Sequence, residues 1–229
     1  MHDNIELTIL MPCYNEELSI EFCINEAMKV LIDNSICGEV LIADNGSIDN
    51  SVAIAEKLGA RVVHVREKGY GNALIGGIRA ARGKYVLMGD CDGSYVFSDA
   101  PRFIEKLRDG NSLVIGNRFK GGIEKGAMSF SHKYLGVPVL SLLGRLRYRV
   151  KVGDFHCGLR AFDREKALSL GLTCGGMEFA TEIIAKFAKA KEPICEIPTK
   201  LRLDLRDGPP HLRSIPDGLR HLKFIFFGK

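Results

Sequence analysis

Short apolar runs alternate with stretches of helical periodicity through the first half of the chain. Leu7-Thr8-Ile9-Leu10-Met11, closed by Pro12, predicts a buried strand. Residues 16–31 set Leu18, Phe22, Cys23, Ala27, Val30 and Leu31 at helical spacing, which predicts a helix burying those side chains. The alternation continues with a strand over 40–43, a helix over 52–58 capped by Ser47 or Asp49, a strand over 61–65 and a helix over 73–81. A strand over 85–88, a helix over 98–107 and a strand over 112–115 complete it. Strands separated by helices of this length require right-handed crossovers, so the expected architecture is α/β, a mostly parallel sheet with helices on both faces. Beyond residue 116 the rhythm loosens into glycines, basic residues and a Leu-rich piece over 135–146. A compact stretch over 154–162 and a helix over 178–190 follow, and residues 193–203 alternate apolar and polar as a half-exposed strand does. Pro216 opens a last helix with Ile215, Leu219, Leu222 and Phe226 on one stripe.

Composition narrows the classes of function. With 46% hydrophobic and 26% charged residues, the chain is neither disordered nor collagen-like. No apolar stretch approaches the roughly 18 residues of a membrane-spanning helix. Asp3 and Glu6 stand where a secretory signal carries basic residues. Seven scattered cysteines without a Cys-x-x-Cys pair argue against a disulfide framework or zinc knuckle and for a reducing compartment. The net charge of +4 hides an asymmetry: residues 1–110 hold 11 Lys/Arg against 17 Asp/Glu, and the remainder 21 against 11. A cation site in the acidic half and a polyanion site in the basic half are the expectation. Nucleic acid is not the expected polyanion, because Trp is absent, Tyr numbers six and no nucleic-acid motif occurs.

Chemistry is expected beyond the carboxyl ends of the parallel strands. Four polar clusters fall there: Pro12-Cys13-Tyr14-Asn15-Glu16, Asp44-Asn45-Gly46-Ser47, Gly69-Tyr70-Gly71 and Asp90-Cys91-Asp92. Two carboxylates ending a buried apolar strand repel each other and lose solvation. Mg2+ or Mn2+ compensates that with oxygen ligands, needing only one or two carboxylates plus substrate phosphates. The dinucleotide fingerprint Gly-x-Gly-x-x-Gly is missing after the first strand, and a Gly-x-Ser-x-Gly nucleophile elbow is absent. Of six histidines none forms a metal-ligating pair at helical spacing, and only His156 lies inside a polar cluster.

These clusters, with Gly116-Asn117-Arg118-Phe119 and Asp154-Phe155-His156-Cys157-Gly158-Leu159-Arg160, stand in an order that resembles the inverting glycosyltransferases of family 2. The resemblance runs over residues 7–223 and is strongest to the branch of dolichyl-phosphate mannose synthase and bacterial polyprenyl-phosphate glycosyltransferases. It implies a nucleotide-diphospho-sugar transferase (GT-A type) fold in a single domain, 1–229, with a nucleotide-sugar half over 1–115 and an acceptor half over 116–229. Pro12, Tyr14, Glu16, Asp44, Gly71 and Asp90 would then line the nucleotide, and Asp90 with Asp92 would hold Mg2+ or Mn2+ at the diphosphate. That ion acts as a Lewis acid on the leaving group. Arg118 would add fixed positive charge beside the phosphates, while Arg160 and His156 would face an acceptor phosphate. The branch commonly continues into transmembrane segments after the last basic helix, where this sequence has only Phe224-Ile225-Phe226-Phe227.

Acceptor chemistry decides which residues must act. A phosphate monoester is anionic at neutral pH and attacks the anomeric carbon without losing a proton, so positioning and charge compensation suffice. A hydroxyl acceptor needs a general base, worth roughly 10²–10⁴-fold, for which Glu178 is the candidate. Arg145, Arg147, Arg149 and Lys151, interleaved with Leu146, Tyr148 and Val150, and Arg220, His221 and Lys223 on the last helix suit an anionic lipid surface. The expected activity is sugar transfer from a UDP- or GDP-sugar to a polyprenyl phosphate at the cytoplasmic face of a membrane. A soluble hydroxyl acceptor and a non-catalytic sugar-nucleotide-binding module are the alternatives.

Overall fold

The apolar runs form strands because neither face of them meets water. In the computed structural model, which describes residues 5–206 and 214–228, Leu7, Ile9, Leu10 and Met11 are wholly buried, as are Leu41, Ile42 and Ala43. Among the described residues one sheet contains seven strands: β1 (Leu7–Cys13), β2 (Gly38–Asp44), β3 (Arg61–His64), β4 (Tyr85–Met88), β5 (Leu113–Asn117), β6 (Arg160–Asp163) and β7 (Ile194–Pro198). Their order is β3-β2-β1-β4-β6-β5-β7, parallel throughout except β6, which runs against both β4 and β5.

The chain steps outward from β1 to β2 to β3 through α1 (Ile20–Asp33) and α2 (Ser51–Lys57). It then returns across the sheet through α3 (Tyr70–Ala80) to place β4 on the other side of β1. Right-handed crossovers in opposite directions lay α1 and α2 on one face and α3 on the other. Packing of α3 is close because Gly77 lies over Leu10 and Ala43, where a Cβ would approach Leu10 Cδ2 to 2.9 Å. α4 (Ala100–Arg108) turns Ala100, Phe103, Ile104 and Leu107 onto β4, β5 and β6. A short helix α5 (Arg118–Gly121) follows β5, and a π-helical turn (His132–Gly136) leads into α6 (Val137–Tyr148). α7 (Arg164–Ser169) follows β6, α8 (Phe179–Lys189) precedes β7, and α9 (Ser214–Phe227) packs against α6 and α8.

Two expected helix faces are corrected. α1 begins at Ile20, so its buried stripe is Ile20, Cys23, Ile24, Ala27, Val30 and Leu31, while Leu18 and Phe22 lie exposed. On α9 the inward residues are Asp217, His221 and Ile225; Leu219 and Phe226 of the expected apolar stripe are 60% and 55% exposed. The side chain of Ile215 lies outside the described residues. The α9 reversal has a physical reason: the buried hydrogen bond between Thr181 and His221, with the His156 ring edge-on to His221, turns that face inward and leaves Leu219 and Phe226 outward. Ser47 does not cap α2; its hydroxyl accepts from the Asn15 amide at 3.0 Å, and Asp49 accepts from the Ser51 amide at 3.0 Å.

Candidate active site

Sheet order brings the polar clusters together. β1 and β4 are neighbours from which the chain departs in opposite directions, so a crevice opens beyond their carboxyl ends. Residues 13–16 leave β1 there, residues 89–95 leave β4, and residues 44–47 leave β2. Because β6 runs antiparallel, its amino-terminal end lies at the same edge, with Arg160 opposite Met88 and Ile115. The 154–159 loop therefore joins the site, as do Arg118 after β5 and residues 199–206 after β7.

The carboxylates crowd. Burial pushes Asp90 up to about 6 and the neighbouring Asp92 charge adds to it, against a 2.9 Å hydrogen bond donated by the Tyr70 hydroxyl. Burial likewise pushes Glu16 up to about 7, with the charges of Asp92 and Asp90 acting in the same direction and Arg206 opposing. Asp92 is buried; its Oδ1 accepts from the Ser94 amide at 2.9 Å and its Oδ2 pairs with Arg206 Nη2 at 3.0 Å. Ser19 ties the loop down by donating to the Cys91 carbonyl at 2.7 Å and to Glu16 Oε2 at 3.2 Å. Oxygen-only ligands with excess negative charge fit Mg2+ or Mn2+ better than a softer metal. Among the described residues no three metal-type side chains close a preformed cage, so an ion at Asp90 and Asp92 takes its remaining oxygens from substrate or water.

At the end of β2, Asp44 accepts from the Ser47 amide at 2.9 Å, the Gly46 amide at 3.2 Å and His64 Nδ1 at 2.9 Å. Burial opposes its ionisation, but these hydrogen bonds prevail and hold it below the usual carboxylate range. Tyr14 is exposed with Lys68 Nζ 5.2 Å from its ring centre, a ready platform for a base, and Pro12 stands half-buried at the end of β1. Gly71 has a different local reason from close phosphate approach. A Cβ there would collide with the Cys174 carbonyl and lie 2.8 Å from Gly176 O, so the glycine lets the first turn of α3 meet the 174–176 loop.

The basic residues are engaged differently from expectation. Arg118 is buried in a two-pronged pair with Asp154, Nε to Oδ2 at 2.7 Å and Nη2 to Oδ1 at 2.8 Å. Its field still lowers the pKa of Asp90, though its guanidinium is already matched. Arg160 is 0% exposed and donates to three carbonyls, Cys157 at 2.6 Å, Ala180 at 2.6 Å and Phe155 at 2.8 Å. In this state it braces the 154–159 loop against α8 instead of offering charge to an acceptor. His156 lies edge-on to His221, ring centres 4.4 Å apart, and both its nitrogens are buried without a hydrogen-bond partner. Glu178 stands at the residue before α8 without a capping hydrogen bond from its side chain, and one buried carboxylate oxygen has no partner among the described residues. Sequence reading missed Tyr70, Tyr95 (whose hydroxyl accepts from the Gly158 amide at 2.6 Å) and Arg206, which sits in a stretch patterned like an ordinary edge strand. Only the tyrosines carried a signal: Tyr70 stands between two glycines inside a cluster, and Tyr95 follows the Asp90-Cys91-Asp92 cluster three residues on.

The histidine pair predicts an acid response. Burial pushes His221 down to about 4, with Arg160 reinforcing it and Asp217 opposing. Burial and the fields of His221, Arg118, Arg160 and His132 hold His156 well below its ordinary range. The unfolded chain thus binds protons that the folded chain refuses, and stability falls as pH drops from about 6.5 towards 4. For His221 alone the full effect is about 3 kcal/mol at 1.36 kcal/mol per unit. The melting temperature of His221→Gln should decline less steeply than wild type between pH 6.5 and 4.5; parallel curves would contradict this.

Comparison with known proteins agrees with this geometry. The sequence pattern of glycosyl transferase family 2 matches residues 8–171, and the chain belongs to that family. Low-salt glycan biosynthesis hexosyltransferase Agl6 of Haloferax volcanii is 36% identical over 220 residues, 96% of this chain and 52% of that protein. This chain thus spans about half the length of that relative. Dolichyl-phosphate hexose transferase of the same organism is 29% identical over 198 residues, 86% of this chain and 83% of its own. Glucosyl-3-phosphoglycerate synthase from Mycobacterium tuberculosis, crystallised with Mn2+, UDP and phosphoglyceric acid, superposes with a TM-score of 0.70 at 24% identity, covering 89% of this chain and 72% of that one. The fold is the GT-A type.

Proposed function

We propose that the chain moves a hexose from a UDP- or GDP-sugar to the phosphate of a polyprenyl (dolichyl or undecaprenyl) lipid, with Mg2+ or Mn2+ held by Asp90 and Asp92. The crowding of Asp90, Asp92 and Glu16 at the crevice carries this reading, because so much negative charge beside a buried strand end calls for a cation. A bound ion supplies Lewis-acid stabilisation of the departing nucleoside diphosphate. An oxygen of the acceptor phosphate attacks the anomeric carbon from the opposite side; the new C–O bond forms as the bond to the diphosphate breaks, inverting the centre. Tyr14 and Asp44 orient the nucleotide, and Tyr70 fixes Asp90.

Relatives named for dolichyl-phosphate transfer support the lipid acceptor. So does the outer surface of α6 and α9. Leu142, Leu146, Leu219, Phe226 and Phe227 are exposed there among Arg145, Arg147, Arg149, Arg220 and Lys223. Apolar and basic side chains on adjoining helices suit the headgroup boundary of an anionic membrane, at about 1 kcal/mol per basic residue. No helix of the described residues is long and apolar enough to cross a bilayer. The contact proposed for α6 and α9 is with the headgroup boundary at the cytoplasmic face.

Thermal shift with UDP- and GDP-sugars tests the donor. At ligand a hundredfold above its dissociation constant the gain is about 2.7 kcal/mol, or roughly 5–11 °C for a domain of this size. It should require Mn2+ and the matching nucleotide together; equal shifts without metal would contradict the reading. The unpartnered oxygen of Glu178 favours one second reading, a general base for a hydroxyl acceptor. Glu178→Gln separates them. Turnover within a few-fold of wild type supports the phosphate nucleophile, whereas a loss of at least about a hundredfold in a folded variant supports the hydroxyl.

A further inference from the structure

Residues 201–206 form a strap across the carboxylate loop. Leu201 bridges Tyr95, the Arg202 amide donates to the Ser94 carbonyl at 2.8 Å, and the Leu205 amide donates to the Asp92 carbonyl at 2.8 Å. The Leu205 side chain fits over Gly93, where a Cβ would meet Leu205 Cδ1 at 2.8 Å and where the φ of +80 is a glycine conformation. The strap delivers the Arg206 guanidinium into the acidic cluster. Nη2 lies 3.0 Å from Asp92 Oδ2 and 3.0 Å from Asp204 Oδ2, and Nη1 lies 3.6 Å from Glu16 Oε1. Its Nε is buried and has no acceptor among the described residues.

We propose that Arg206 is the resident counter-ion of this cluster, so that the divalent ion enters well only together with the nucleoside diphosphate. The inference rests on the reading of Asp90 and Asp92 as the ion's carboxylates. An ion binding Asp92 competes for Oδ2, because Oδ1 already accepts from the Ser94 amide. A bare ion must therefore displace a guanidinium that also pairs with two other carboxylates, or sit beside it against like-charge repulsion. The diphosphate removes the conflict. Its negative charge accommodates both cations, and a phosphate oxygen gives the orphaned Nε an acceptor, for which a guanidinium is geometrically suited. Arg206 is then a positioning residue for the diphosphate, and ion and nucleotide are coupled reciprocally.

Electron paramagnetic resonance titration of Mn2+ against the full chain, with and without UDP or GDP, tests this directly. Wild type should bind Mn2+ at least about tenfold more tightly with the matching nucleotide than without it. Arg206→Gln should bind nucleotide-free Mn2+ at least about tenfold more tightly than wild type and lose most of the coupling, while Arg206→Lys should keep much of it. Nucleotide-free Mn2+ affinity equal in wild type and Arg206→Gln would overturn the proposal. Asp92→Asn separates the two layers. If it abolishes Mn2+ binding while Arg206→Gln changes nothing, the counter-ion role alone fails; if it leaves Mn2+ binding intact, the assignment of the carboxylates fails as well.

Discussion

Asp92→Asn is expected to lower kcat/KM for sugar transfer by about a thousandfold or more while changing the melting temperature by only a few degrees. The argument is electrostatic. In the proposed reaction charge builds on the departing diphosphate, and an ion held there by Asp90 and Asp92 would be worth several kcal/mol. Weakening the clamp by about 4 kcal/mol corresponds to three powers of ten in rate. Folding suffers much less. The asparagine Oδ1 can still accept from the Ser94 amide, and the lost pairing with Arg206 is offset by relief of repulsion with Asp90 and Glu16. A steady-state assay of nucleotide release, run beside thermal melts, checks both halves; a loss below tenfold in rate would contradict the metal role.

Arg118→Met is expected to act the other way, chiefly through stability. The variant leaves Asp154, 0% exposed, without its guanidinium, and breaking such a buried pair costs about 3–5 kcal/mol. For a domain of this size that is about 6–20 °C in melting temperature. Adding Asp154→Asn removes the stranded charge and keeps an acceptor for one of the two amides, at position 118 or His156, that now donate to different oxygens of Asp154, and should restore part of the loss. Differential scanning calorimetry of wild type, single and double variants decides it. If the single variant melts like wild type but transfers sugar poorly, Arg118 serves the phosphates directly and its pairing with Asp154 is incidental.

Sequence made the first half legible because each element there is announced locally. β1, β2 and β4 are unbroken apolar runs ending in turn residues, and parallel order then gathers Glu16, Asp44, Asp90 and Asp92 at one edge without further information. What was hidden depends on distant partners. β6 is four residues long, and nothing in Arg160-Ala161-Phe162-Asp163 reveals that it runs against its neighbours and swings the 154–159 loop into the site. Arg118 and Arg160 look like phosphate ligands until Asp154 and three carbonyls are seen to engage them. The orientation of α9 was misleading for the same reason: His221 is buried against Thr181 of α8 and His156 of the 154–159 loop, so the apolar stripe does not mark the inner face.

The strap over residues 92–95 also fixes where the working unit stops. A fragment cut after Gly171, the last residue matched by the family pattern, would retain every carboxylate of the cluster except Asp204. It would lose β7, leaving β5 as a bare sheet edge open to pairing with other chains, and it would lose Arg206. Such a piece would hold the acidic residues yet tend to aggregate, so truncation studies of this protein need to keep the chain intact through at least Arg206.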